Sequence, residues 1–158
     1  MQQENIRIGE ALAEKKKMQV RLAKCNGLLK KSYYYKGKPD FDYGKLRGEI
    51  ISLTANIRYL KLRIINTNIS TKVVYNEKDM SLAELIIRLG DIRSQIAVLS
   101  ELYKPTRDEF YSLRHTEGDE IQPQVPPEDV EEEISRLNQE KTELDALLQH
   151  TNWTKILI

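Results

Sequence analysis

At 158 residues the chain has the length of one domain and enough of it to bury a core. Charged residues make up 31% of it, with only seven glycines and five prolines, a balance that suits long solvated helices and excludes a turn-rich β fold. The net charge of +1 excludes a uniformly basic nucleic-acid binder but hides a segregation: residues 1–75 hold 16 Lys/Arg and 6 Asp/Glu, residues 76–158 hold 9 and 18, so the halves carry +10 and −9.

The first element spans about 6–31, where Ile8, Ala11, Met18, Leu22, Cys25 and Leu29 recur at steps of three and four, interrupted by Lys15. Such spacing lays side chains along one stripe of an α-helix. Its other face is basic, with Lys16, Lys17, Arg21 and Lys24, and Lys30 and Lys31 near the C-terminus suit the helix dipole. Gly37 and Pro39 mark residues 32–42 as a loop. The second helix, about 41–66, carries Tyr43, Leu46, Ile50, Leu53, Ile57, Leu60 and Ile64 on its stripe.

Residues 69–75 change period. Thr71, Val73, Val74 and Tyr75 favour extended structure, and Asn76 to Asp79 supply turn chemistry. Ser81 with Glu84 forms a capping box, so a third helix is predicted over about 81–103, with Leu82, Leu85, Leu89, Ile92, Ile96, Leu99 and Tyr103 in line, ended by Pro105. Residues 104–127 form a long connection in which 109–115 and 121–125 are expected to pair as a small hairpin. Pro126-Pro127 opens a fourth helix, about 127–151. Its first turns are rich in acids, and its stripe holds Val130, Ile134, Leu137, Leu144 and Leu148, interrupted by Lys141. The predicted fold is therefore all-α. Four long helices form two helical hairpins, bundled or coiled-coil-like, with short extended segments in the long loops, as a single helical domain over 1–158.

Chemistry-bearing motifs are scarce. His115 and His150 lie in different segments, and neither HExxH nor CxxC occurs, so no metal site is assigned. The glycines are scattered and form no phosphate-binding loop. Carboxylate clusters such as Glu131 to Glu133 read as solvated faces. No catalytic residue and no cofactor is assigned. The single Cys25 lies on an apolar stripe and reads as a small buried hydrophobe. With no disulfide framework, no apolar run near the ~20 residues of a transmembrane helix and a polar N-terminus unlike a signal peptide, the expected location is cytoplasmic.

Two groups stand out. Tyr33, Tyr34 and Tyr35, flanked by Lys30, Lys31, Lys36 and Lys38, are candidates for a partner contact or for stacking on nucleic-acid bases; nothing else in the chain resembles a nucleic-acid module. Asn66, Thr67 and Asn68 close the second helix, and Gln149, Asn152 and Trp153 the fourth. Buried amides and an indole N–H demand partners, so these two ends are expected to meet in a structural polar network.

At these residues the chain resembles septicolysin-like proteins, small bacterial proteins mostly without an assigned function. The likeness is carried by Gly9-Glu10-Ala11-Leu12-Ala13-Glu14-Lys15, Ile65-Asn66-Thr67-Asn68, the helix from Leu82 to Leu102, and Gln149, Asn152 and Trp153. It covers nearly the whole chain. Tyr111-Ser112 answers a Tyr-Ser-Arg-like element, except that Leu113 precedes Arg114, and Gly90 stands before Asp91 where a basic residue is expected. The family name implies a cytolysin, but the chain shows neither an export signal nor a long alternating hairpin for a pore. The reading is therefore a non-catalytic helical protein that self-assembles, as a homo-oligomer, or binds a protein partner. A cytolysin-like toxin and a nucleic-acid binder are the alternatives. For assembly, the basic face of the first helix is expected to meet acidic surface at Glu131 to Glu133, or at Glu140 and Glu143.

Overall fold

The computed structural model describes residues 5–38, 41–102 and 123–158. Apart from 123–127, the connection expected to hold a hairpin lies outside them, as do Pro105, Tyr111 and Ser112. Among the described residues the chain forms α1 (Ile8–Ser32), α2 (Tyr43–Ser70), β1 (Lys72–Tyr75), β2 (Lys78–Ser81), α3 (Leu82–Glu101) and α4 (Pro127–Thr154). The all-α expectation holds, with a two-stranded antiparallel sheet between α2 and α3.

Local chemistry sets the boundaries. The Glu10 carboxylate accepts the Arg7 backbone N–H at 2.7 Å, satisfying a donor at the start of α1. Asp42 accepts the Lys45 N–H at 2.9 Å and caps α2. Ser81 and Glu84 form the predicted box: the Glu84 carboxylate accepts from the Ser81 backbone, and the Glu84 N–H donates to the Ser81 hydroxyl at 3.1 Å.

α2 runs to Ser70, a turn beyond its expected end near 66. The Thr67 and Ser70 hydroxyls donate to the carbonyls of Arg63 and Asn66, at 2.8 and 2.9 Å, so these polar side chains bond back along the helix and do not break it. Asn66, Thr67 and Asn68 accordingly lie inside α2. α4 likewise continues past 151 to Thr154. The β1–β2 turn is also tighter than the sequence suggests. Tyr75 pairs with Lys78, leaving Asn76 and Glu77 as the two central residues, at φ 49° and 62°. Positive φ at both positions is the requirement of a type I′ hairpin turn, and Lys78 and Asp79 therefore belong to β2.

The helices pack chiefly as α1 against α2 and α3 against α4. The start of α1, the end of α2, the start of α3 and the end of α4 converge. The Leu82 N–H donates to the Thr71 carbonyl at 2.9 Å, and the Ile8 N–H to the Lys155 carbonyl at 3.0 Å. At this shared end lies the main core, where Ile8, Ala11, Leu82, Leu85, Leu89, Ile92 and Leu144 are 0–1% exposed. A separate cluster farther along the first hairpin joins Cys25, Leu46 and Ile50 to Leu22, Leu28, Leu29 and Leu53, all from α1 and α2. Burial, and then the Glu49 carboxylate, raise the Cys25 thiol pKa.

This division ranks core substitutions. Ile92→Ala, at a fully buried site, is expected to cost about 2–5 kcal/mol. Leu53→Ala, half-buried in the two-helix cluster, is expected to cost clearly less. Urea unfolding of both variants checks the order; equal losses would mean that the first hairpin is covered as completely as the shared end.

Candidate interaction surfaces and the polar end

Among the described residues the buried polar ones are Thr67, Thr71, Ser81, Thr151 and Asn152, and all lie near the shared end. Thr67 and Thr151 bond a short extended segment after α4. The Leu157 N–H donates to the Ile6 carbonyl at 2.8 Å, Arg7 and Ile156 form an antiparallel bridge, and the Ile158 N–H donates to the Thr67 hydroxyl oxygen at 3.0 Å. Arg63 on α2 donates to the Leu157 carbonyl at 2.9 Å and to the Ile158 backbone oxygen at 3.1 Å, while its guanidinium lies 5.6 Å from the Tyr59 ring centre.

The ends of α2 and α4 thus meet through Thr67 and Arg63, which hold backbone groups of 157–158. The amides of Asn66, Asn68, Gln149 and Asn152 are not bonded to one another. Asn66 and Gln149 are exposed, Asn152 is buried, and Asn68 Oδ1 is buried without a hydrogen-bond partner. Trp153 covers Gly9: a Cβ placed there would stand 3.0 Å from the indole ring, so a side chain at that position would push the ring outward by a few tenths of an ångström.

The β1–β2 hairpin and α3 are clamped to α4 by pairings that sequence reasoning did not foresee. The Tyr75 hydroxyl donates to Glu143 at 2.8 Å, and Arg88 grips Glu140 with two bonds at 2.7 and 2.8 Å. Arg93 reaches Asp145 at 3.1 Å. The Tyr75 hydroxyl, aided by Gln139, lowers the Glu143 pKa, and burial together with Glu143 raises that of Tyr75. Glu140 and Glu143, expected as acidic contact surface, are therefore engaged within the chain. Matching their acids to α3 and β1 needs tertiary pairing that no local pattern contains.

Tyr33, Tyr34 and Tyr35 follow α1, away from the shared end, and are 62–88% exposed. Tyr33 and Tyr34 meet edge to face at 4.9 Å. Lys30 and Lys31 occupy the last turn of α1, and Lys36 and Lys38 are exposed. This group and the polar end are separate regions of the molecule.

Two further surfaces emerge. A groove of about 950 Å³ lies between α1 and α2. Val20, Leu28, Phe41 and Leu46 give it apolar walls, and Lys16, Lys17, Arg21 and Lys24 bring cations to it from α1. Its acid, Glu49, is bonded to Arg21. The second surface is the outward side of α2, where Ile51, Tyr59, Leu62, Ile65 and Ile69 are each at least half exposed. A second three-four run through 51, 55, 58, 62, 65 and 69, partly masked by Ala55 and Arg58, is the signal that could have found it.

Among the described residues no His, Cys, Asp or Glu side chains gather as a metal site, and no helix is long and apolar enough to cross a membrane. What the geometry defines is a two-hairpin helical protein with exposed charged and apolar surfaces. The chain belongs to DUF6847, a family of unknown function whose model matches residues 15–157. It is similar to a functionally unknown conserved protein from Corynebacterium diphtheriae, seen in a crystal structure, with 21% identity and a TM-score of 0.80 over 97% of this chain and 99% of that one. At that identity the likeness concerns the fold. No curated protein matches the chain.

The Tyr75–Glu143 contact has a pH signature. A Glu pKa held down in the folded state contributes stability that is present above the unfolded value, here about 4.5, and lost as pH falls through the lower folded value. Tyr75→Phe removes the leading cause of the depression. Its destabilisation is therefore expected to shrink as pH falls from 6 through that acid window. A constant deficit across the range would mean that the hydroxyl does not act through Glu143.

Proposed function

We propose that the protein is a non-catalytic helical assembly protein that associates with further copies of itself through oppositely charged faces. The observation that supports this reading is the pattern of ion pairs. Arg21–Glu49 joins two residues of the basic half, and Arg88–Glu140 and Arg93–Asp145 join residues of the acidic half. Among the described residues no ion pair crosses between 1–75 and 76–158, so the +10 and −9 halves leave their charge at the surface. Complementary surfaces of this kind steer encounter and choose partners more than they set affinity. Apolar contact must supply the hold, and exposed Val20, Phe41 and Leu62 offer it.

A second reading, docking of a helical protein partner, is favoured by the outward stripe of α2. Lys45, Arg47, Arg58 and Lys61 lie on the exposed surface of that helix, with Ile65 and Leu62 between its turns, so the partner it suits is an acidic amphipathic helix.

Sedimentation velocity at micromolar protein separates the two. Self-association is expected at low salt and is expected to weaken as salt rises through the physiological range, because exposed charges are screened over about 8–10 Å there. A monomer at both salts would refute self-assembly and leave the helical-partner reading.

A further inference from the structure

We propose that the groove between α1 and α2 is the seat for residues 125–133 of a second copy, so that assembly is head to tail; this rests on the self-assembly reading above.

Three properties of the groove call for an occupant. Val20 is 65% exposed and Phe41 42% exposed, so the walls leave apolar surface in water. The cluster beneath, Cys25 with Leu28 and Leu46, draws on two helices alone, and no residue of α3 or α4 covers it. Lys16, Lys17 and Lys24 carry positive charge along the groove without an ion-pair partner among the described residues, while Arg21 is occupied by Glu49. An apolar trough with cations along one edge takes an apolar anchor followed by acids.

Residues 125–133 have that chemistry in that order. Val125 is 50% exposed, Pro126 caps the helix, and Glu128, Asp129, Glu131, Glu132 and Glu133 follow on exposed positions. None of the five acids forms an ion pair with a described residue, in contrast to Glu140 and Asp145 farther along α4. The groove's α1 wall runs from Ala13 to Leu28, roughly 22 Å at 1.5 Å per residue, and nine residues entering α4 fit within that length. Val125 would contact Val20 and Phe41, with the acids of the first turns of α4 beside Lys16, Lys17 and Lys24.

The two surfaces differ, so the contact is heterologous: each copy offers one groove and one acidic segment, and repetition gives a ring or an open chain. A two-fold dimer that paired groove with groove would oppose like charges, and one that exchanged segments would stop at two copies, so wild-type species larger than a dimer mark the head-to-tail arrangement.

The experiment uses the full chain and two variants at exposed positions. Val20→Glu places an anion in the groove and leaves the acidic segment intact. Glu131→Lys with Glu132→Lys reverses the segment and leaves the groove intact. Far-UV circular dichroism checks that both keep the wild-type helix content. In low salt each variant alone is expected to associate at least tenfold more weakly than wild type. An equimolar mixture is expected to form one-to-one dimers and nothing larger, because one good groove meets one good segment and both ends are then blocked. That recovery in the mixture also shows that both variants are folded. Wild-type association unchanged in both variants would overturn this seat while leaving self-assembly standing. Loss in both variants without recovery on mixing would overturn the head-to-tail arrangement. A wild-type monomer at every salt would overturn the self-assembly reading and this inference with it.

Discussion

The contact on which the rest of the structure depends is the seam of backbone hydrogen bonds formed by residues 155–158. Ile8 donates to the Lys155 carbonyl and Leu157 to the Ile6 carbonyl across the start of α1, and Ile158 donates to the hydroxyl oxygen of Thr67 on α2. Without this seam the first hairpin would join the second through the β1–β2 connection and apolar packing alone. Buried backbone groups left unpaired are costly, so this segment must find partners or stay in water. Thr67, buried to 1% exposure, and Arg63 provide those partners from the side of α2. The polar residues in the core are therefore concentrated where an extended segment enters a helical fold.

Fixing the four helix ends together has a consequence at the other end. Helices of 25 and 28 residues extend beyond the region where all four contribute to one core, and the far cluster draws, among the described residues, on α1 and α2 alone. The surfaces with unmet chemistry, the cationic groove and the acidic first turns of α4, both lie away from the seam. Under the proposed assembly the labour divides: the shared end provides stability, and the remote ends of the hairpins would provide surface for association. The contrast within α4 supports it. Glu140, Glu143 and Asp145 are taken up by Arg88, Tyr75 and Arg93, whereas the acids from Glu128 to Glu133 face solvent.

The helices were legible in the sequence because period and capping are local. Leu82, Leu85, Leu89 and Ile92 follow one stripe and are all buried, and Ser81 with Glu84 announced the start of α3. The end of α2 was less legible, since Asn66, Thr67 and Asn68 read as helix-ending residues until the Thr67 and Ser70 hydroxyl bonds to the preceding turn are seen. The segment after α4 reaches the end of α2 through Thr67 and Arg63, not through the amides whose polarity suggested a network. Which atoms meet could not be read from the sequence, because the partners of Thr67 and Arg63 are backbone groups more than 90 residues away. The groove was hidden for the same reason: its lysines were visible as a basic face, but Phe41 and Leu46 join that face only through the packing of α1 on α2.

Native-state hydrogen exchange at the amides of Ile8, Leu157 and Ile158 tests the seam most directly. If it holds the hairpins together, these three amides are protected to the same degree as the core amides of α3 and open with them in one cooperative step. Exchange of Leu157 and Ile158 at the rate of a fraying chain end, with α3 still protected, would contradict the account.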